Sequence, residues 1–516
     1  MSSLSHHVRV PPAPLPMLMP TYTRLLSQNE LSYFLPSRAY GLNDMMAQLV
    51  IRAPPNLISP RRLRIVWAIM RLRHTLLACQ VRTEPGRYDS RFEYTPPSSP
   101  RKALEEAQDT ATIFSDKTGQ NLVDAFLDLN SPRRLSAKCI SLIDIAKHGP
   151  VSPTLEEYHL FVLMIHAVND GLAVHQHCDM ILELMCGSAT PSGQHRTDAE
   201  LMHVLELEWA MRWGQTRLDP IIVPATEDRS PPAASRWQKL AWTVDHQNVK
   251  RRAIGGHTLP RVKSNTSRPV TARQVFDLEE TAVILDVCRH RHVTLPNAVF
   301  ALLNIAWIYT AQNHPELGGS SKTLPMMFTP PFLFAGTCPT SQIFLLTSFI
   351  PRSLDHGAVF WGRANSAQSQ MRGFTRSPML LSRSQIMAAE RGARSKAFAR
   401  MDDGIPSPPK STQSQPPPLT PDVPSVALLG VSCLGDLRTV YRREHYPSVQ
   451  LVDSYAHTRK AKGGILLFTQ IFEGRFSTSL GWDAAAFPPG IIEEFFKHYS
   501  RGVRDYILGS VVSSKL

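Results

Sequence analysis

The chain has 516 residues, 43% of them hydrophobic and 19% charged, which excludes a wholly disordered chain and leaves ample material for a large core. At roughly 150 residues per domain the length corresponds to about two to four structural units. The 56 basic against 43 acidic residues give a formal charge of +13. That excess suits anionic ligands such as coenzyme A, phospholipid surfaces or nucleic acid, and selects none of them. No RNA-recognition or zinc-finger spacing occurs, so nucleic acid is not an expected partner. No run approaches the ~18–20 apolar residues of a spanning helix, so no transmembrane segment is expected. The seven cysteines are scattered and include no CxxC, a pattern of buried thiols in a reducing compartment rather than of a disulfide frame.

In chain order, Asn29 is a plausible cap for a first helix containing Glu30 and Phe34. Met46–Arg52 has the composition of a strand. Ser59-Pro60 opens a helix whose Leu63, Val66, Trp67, Met70 and Leu77 keep a 3.6-residue spacing, followed by a strand at Ala78–Val81. Residues 83–101 are polar and proline-rich and read as loop, and Ala103–Phe114 reads as helix.

Leu160–Ile165 is a continuous apolar run of strand length. His166 ends it, Asn169, Asp170 and Gly171 supply turn formers, and a helix with Val174, Cys178, Ile181, Leu182 and Met185 on one face runs to Gly187. Residues 215–265 read as an irregular crossover. The second half brings a helix over Glu279–Arg289, then a long apolar helix over Ala298–Ala311 with Thr294 as cap and Pro296 in its first turn. Strands are expected at Phe344–Ile350, Val426–Ser432, Gly464–Phe472 and Arg475–Gly481, the last two joined by a Glu473-Gly474 hairpin turn. Residues 401–424 form a proline-rich loop, and a final helix covers Pro489–Leu508. Strands and helices alternate through both halves, which argues an α/β fold.

The chemistry concentrates in His166-x-x-x-Asp170-Gly171. A histidine at a strand end projects into a cleft and can take a proton near neutral pH. An aspartate four residues on can hold the loop that aims the ring, and Gly171 lets the backbone turn and the helix pack closely. The pattern alone is common and fits a structural histidine equally well. His175, His177 and Asp179 do not share one helix face, so no metal site is expected there. Arg289-His290-Arg291-His292 reads as a solvated helix end with some capacity for phosphate. The terminal Ser514, Lys515 and Leu516 match a receptor-read peroxisome address, which makes the peroxisome matrix the expected location and its import receptor an expected partner.

Landmarks spread along most of the chain resemble the coenzyme-A-dependent acyltransferase superfamily, which includes chloramphenicol acetyltransferase, plant HxxxD acyltransferases and peptide-synthetase condensation domains. They are Thr23-Arg24-Leu25 with Glu30, Leu72–Leu77, His166–Gly171, His292–Leu295, Ser432–Gly435, and Leu480–Asp483 with Phe487. Together with the terminal tripeptide they are similar to fungal peroxisomal acyltransferases of mannosylerythritol-lipid biosynthesis. Two departures stand out: Ile165 replaces the second histidine of condensation domains, and Gly481-Trp482-Asp483 is not the full plant motif.

The resemblance implies two chloramphenicol-acetyltransferase-like lobes, each a mixed sheet with helices, around an active-site channel. Residues 1–214 would form the first lobe, 215–265 the crossover and 266–516 the second. It implies an acyl-CoA-dependent O-acyltransferase passing a fatty acyl group to a glycolipid hydroxyl. His166 would be the general base, Asp170 structural support, and Ser432 a donor to the oxyanion. Acyl-CoA would be a co-substrate, with no bound cofactor, no metal and no covalent acyl-enzyme, and the default state a monomer. Two rivals stand beside it: a secondary-metabolite O-acetyltransferase acting on a terpenoid or polyketide alcohol, and a non-catalytic ligand-binding relative.

Overall fold

A computed structural model describes residues 19–84, 86–187, 195–213, 221–225, 227–229, 235–252, 259–314, 317, 323–328, 342–347, 356–405, 428–460 and 463–509. In chain order the elements are β1 (Tyr22–Leu25), α1 (Gln28–Tyr40), β2 (Met45–Ala53), α2 (Pro60–Arg73), β3 (Gln80–Arg82), β4 (Arg91–Tyr94), α3 (Pro100–Gln108), β5 (Ala111–Phe114), α4 (Gly119–Leu127), β6 (Ser141–Pro150), β7 (Glu156–Met164), α5 (Gly171–Cys186), α6 (Asp198–Trp213) and α7 (Arg236–Arg252). The second half adds β8 (Pro269–Val275), α8 (Leu278–His290), α9 (Leu295–Asn313), β9 (Thr323–Phe328), β10 (Gln342–Thr347), α10 (His356–Thr375), α11 (Leu380–Asp402), β11 (Gly430–Asp436), β12 (Gln450–Thr458), β13 (Ile465–Phe472), β14 (Arg475–Asp483) and α12 (Ile491–Gly502).

Two mixed sheets organise the molecule, in the orders β12-β2-β7-β6-β5 and β10-β9-β11-β13-β14-β8. The first sheet is covered on both faces, and β7 shows why its sequence runs apolar without a break. Tyr158, Leu160, Val162 and Met164 enter one core with α2, α5 and α6, while Phe161, Leu163 and Ile165 enter another with α1 and α4. The second sheet packs on α8, α9, α10 and α12, with Trp482, Phe300 and Tyr499 fully enclosed. A small antiparallel sheet, β1-β4-β3, stands beside α1.

Sheet membership does not follow the chain halves. β12, from the second half, is the edge strand of the first sheet and pairs with β2 from Gln450 opposite Arg52 to Thr458 opposite Met45. β11 lies in the second sheet, yet Leu434 and the following Leu437 pack into the core of the first, while Val431 and Cys433 stay with the second. α11 lies along α1: Tyr88 and Arg38 both bond Asp403, Ser395 donates to the carbonyl of Ser32, and Arg383 pairs with Asp245 of α7 at 2.6 Å.

The structure corrects several expectations from the sequence. Ser27, not Asn29, caps α1, because its hydroxyl accepts from the Glu30 N–H while the Glu30 carboxylate returns to the Ser27 N–H. Residues 83–101 are not all loop: Phe92 and Tyr94 alternate inward on β4. The expected helix over Ala103–Phe114 stops at Gln108, and Ala111–Phe114 pairs in parallel with β6. The crossover contains α7. Thr294 sits at the head of α9, but its hydroxyl accepts from the Asn297 side chain rather than from a backbone N–H. β11 begins at Gly430, later than expected, and residues 426 and 427 lie outside the described residues, as do 348–350 and 406–427. The final helix is regular only to Gly502, after which Val503–Leu508 widens into a π turn. No single helix among the described residues is long and apolar enough to cross a membrane.

Candidate active site

β7 delivers His166 two residues past its last paired position, Met164, which lies between Met45 of β2 and Ser141 of β6. The chain then turns through Ala167–Asp170 into α5. Asp170 caps that helix: one carboxylate oxygen accepts from the N–H groups of Leu172 at 3.0 Å and Ala173 at 2.8 Å. Asn169 is buried and fixes the turn from inside. Its side-chain Oδ1 accepts from the Asp170 N–H, and its side-chain NH₂ reaches the Met164 sulfur and His177 Nδ1, both at 2.9 Å.

The same turn sets the tautomer of His166. Nδ1 lies 3.0 Å from the Asn169 backbone carbonyl. A carbonyl only accepts, so Nδ1 carries the proton and Nε2 keeps its lone pair. The ring stacks on Tyr33 of α1, with centroids 4.2 Å apart and planes inclined by 24°. The guanidinium of Arg391, from α11, lies over the same tyrosine ring 4.9 Å from its centroid. Burial pushes the His166 imidazole down to about 4, the Arg391 charge adds to that, and the Asn169 carbonyl works against it. At neutral pH the ring is therefore an uncharged base with its acceptor nitrogen free of this turn.

β11 closes on the head of α5. A Cβ at Gly171 would stand 2.7 Å from the end of the Leu434 side chain. The backbone at Gly171 is not in the left-handed region, so glycine serves close approach there, and the turning role expected of it is not used. Ser432, half-buried, sits two residues before Leu434 on β11, opposite Phe468 of β13. The structure thus brings together His166, Asp170, Gly171 and the strand that carries Ser432. Tyr33, Asn169 and Arg391 were missed from sequence. Asn169 lies inside the motif and was read only as a turn former, while Tyr33 and Arg391 approach from helices distant in sequence and carry no local signal.

The other flagged residues have structural work. His175 bonds the Tyr441 hydroxyl at 2.7 Å, Asp179 accepts from Arg442 and from the Tyr446 hydroxyl, and His177 meets Asn169 and the His74 ring. These three side chains therefore point to different partners. Trp482 is core, and Asp483 ties down its loop by accepting from Ser267, Arg268 and Ala485. In the basic helix end, Arg289 and His290 turn back to Asp286 and Arg291 lies over Trp361. A cavity of about 100 Å³ lies elsewhere, lined by the Asp44–Arg133 and Asp144–Arg134 pairs. Ser514, Lys515 and Leu516 lie outside the described residues.

No family model and no curated protein matches the sequence. Solved structures do match the fold over nearly the whole chain. The trichothecene 15-O-acetyltransferase TRI3 from Fusarium sporotrichioides superposes with a TM-score of 0.67 at 11% identity, covering 95% of this chain and 98% of that one. The condensation domain of the Monacolin K polyketide synthase MokA gives 0.54 at 11% identity over 93% and 96%. The epimerization domain from the third module of tyrocidine synthetase B gives 0.52 at 10% identity over 95% and 97%. The chain has the α/β fold shared by the coenzyme-A-dependent acyltransferases and the condensation domains, the fold that its sequence landmarks imply.

Proposed function

We propose that this protein is an acyl-CoA-dependent O-acyltransferase with His166 as general base. The observation that carries the reading is the state of His166: an uncharged imidazole at a strand end, its Nδ1–H held by the Asn169 carbonyl and its Nε2 left as acceptor. In this reading Nε2 removes the proton from an acceptor hydroxyl as the oxygen attacks the thioester carbonyl. The tetrahedral intermediate collapses with loss of the thiolate, and the imidazolium returns the proton to sulfur. Base catalysis of this kind supplies ~10²–10⁴-fold, and the rest comes from holding two substrates together and stabilising the oxyanion. Ser432 is the proposed oxyanion donor, on the strand that closes against Gly171. Asp170 keeps the turn in place and moves no proton.

For the acyl group and acceptor, the proposal is a fatty acyl chain and a glycolipid hydroxyl, as in mannosylerythritol-lipid assembly. Its support is the sequence resemblance together with Ser514-Lys515-Leu516, which would place the protein in the peroxisome matrix beside an acyl-CoA pool. One observation favours a second reading, acetyl transfer to a terpenoid alcohol: the fold match to a trichothecene 15-O-acetyltransferase over 95% of the chain. Product mass after incubation with acetyl-, octanoyl- and palmitoyl-CoA and either a mannosylerythritol acceptor or a terpenoid alcohol separates the two. Ester formed only from acetyl-CoA on the terpenoid would replace the glycolipid reading. Long-chain ester on the sugar would retain it.

A further inference from the structure

The far end of β7 holds a second group of chemistry-bearing side chains. β6 and β7 run antiparallel with Ala146 opposite His159, Lys147 opposite Tyr158 and Gly149 opposite Glu157, so His148 is an extra residue in a β-bulge. Gly149, with φ of 140°, takes up the backbone change that follows it. A bulge re-aims the side chain it carries. Here the His148 ring lies parallel to His159, with centroids 5.6 Å apart and planes 9° apart. Glu157 shares the strand face of His159, and its Oε1 is 4.0 Å from His159 Nε2. Among the described residues, His148, Glu157 and His159 form one group of three whose ligand atoms all lie within 4.8 Å of one another.

We propose that His148, Glu157 and His159, brought together by the β6 bulge, bind a divalent transition-metal ion of the zinc class. Two imidazoles and one carboxylate suit zinc, nickel or copper better than magnesium or calcium, which prefer oxygen alone. With metal–ligand bonds of about 2.0–2.1 Å, ligand atoms in a tetrahedral shell stand about 3.3 Å apart. From separations of up to 4.8 Å, closing on an ion brings the ligand atoms together by about 1.5 Å at most. Three protein ligands leave the remaining position to water.

The surroundings hold two of the ligands ready. Arg52 bonds Glu157 Oε2 at 3.0 Å and leaves Oε1 facing the histidines. On its Nδ1 side His159 meets Gln48 at 3.2 Å, and Gln48 in turn meets His457 Nε2 at 2.9 Å. Ligation through Nε2 places the His159 proton on Nδ1. A half-turn of the Gln48 amide then presents its oxygen to that proton and its NH₂ to His457, the outer-shell support that metal-bound histidines use. The site is separate from the candidate active site: His159 lies five residues, about 17 Å at strand rise, before Met164 at the end of β7, and His166 lies beyond that end.

The test is calorimetric titration of the full chain with Zn²⁺, paired with the visible d–d bands of Co²⁺ as a coordination readout. His148 is exposed on the bulge, so His148→Ala leaves the core intact, which circular dichroism verifies. Since the sequence also carries His6-His7, the informative quantity is the difference between wild type and variant. The proposal predicts a saturable equivalent of Zn²⁺ that His148→Ala, by removing a ligand outright, weakens by at least the ~10–100-fold that loss of an outer-shell partner costs and that Glu157→Gln also weakens, with loss of the Co²⁺ bands. Identical titrations for wild type and His148→Ala, or no saturable binding, overturn it.

Discussion

The tautomer of His166 is decided by a backbone carbonyl, and this makes the acid limb of the proposed reaction predictable. Burial and the Arg391 charge hold the imidazole near 4 rather than at its ordinary 6.5. As the proposed base, His166 would therefore be competent throughout the neutral range and lost only as pH falls towards 4. We expect kcat/KM to stay level as pH drops through 6.5 and to fall only as pH approaches 4. Arg391→Gln removes a nearby positive charge, stabilises the imidazolium and moves the limb to higher pH. A wild-type limb at 6.5, or an unmoved limb in the variant, would contradict the arrangement. Asp170 makes a separate prediction. Asp170→Ala removes an acceptor from two N–H groups at the head of α5, at a cost of about 0.5–2 kcal/mol in urea unfolding. Activity should fall further than stability, because the loosened turn carries the Asn169 carbonyl. Asp170→Asn keeps a cap and should recover most of both. At this scale the sequence is informative where the chemistry is local: His166, Asp170 and Gly171 lie within six residues. Tyr33 stacks on the His166 ring and Arg391 lies over Tyr33, each from a helix distant in sequence, and no local pattern announces them.

Among the elements, α11 has the clearest link to the site. It lies along α1 and carries Arg391 to the Tyr33 ring. Gly392 is a point of close approach, since a Cβ there would stand 3.0 Å from the Gln28 carbonyl oxygen and closer still to its side chain. Gly392→Val should push the two helices apart, at a cost of about 1–3 kcal/mol typical of overpacking. It should also shift the acid limb as Arg391→Gln does. Thermal unfolding and a pH–rate profile measure the two effects, and a variant with lower stability and an unmoved limb would separate α11 from the chemistry. Elements with a strong local period were readable in advance. The apolar run of β7, the capped start of α2 and the β13–β14 hairpin, whose Glu473 and Gly474 both take positive φ, fall where expected, whereas α2 stops at Arg73, Leu77 lies in a 3₁₀ turn and β3 begins at Gln80. Segments whose state depends on a distant partner were not. β5 continues a helical pattern and becomes a strand because β6 lies beside it. β4 hides in a polar, proline-rich stretch and is recruited by β1 and β3.

Over the whole molecule, the exchange of β12 into the first sheet and the shared strand β11 bind the halves of the chain into one object. The two-lobed α/β class was legible from alternating elements and from landmarks in order. The crossing of β12 was not, because strand pairing between residues 45–53 and 450–458 leaves no trace in either segment alone. The enclosed histidines give the molecule a common response to acid. Burial lowers His74, His166 and His175 to about 4 and His177 and His457 to about 3. Unfolded, each would titrate near 6.5. Between those values the unfolded chain binds more protons than the native one, so their contribution is complete above 6.5 and is lost as pH falls towards 4. The urea midpoint should therefore be lower at pH 5.5 than at pH 7.5, and an equal or higher midpoint at 5.5 would contradict the burial of these rings.

The most direct test of the central claim is thiol release from acyl-CoAs of graded chain length, with and without an alcohol acceptor, for the wild type and His166→Ala. The account predicts acceptor-dependent release that the substitution lowers by ~10²–10⁴-fold while the urea midpoint stays close to wild type. Release unaffected by His166→Ala would remove the imidazole from the reaction, and a folded wild type with no acceptor-dependent release from any acyl-CoA would remove the reaction itself.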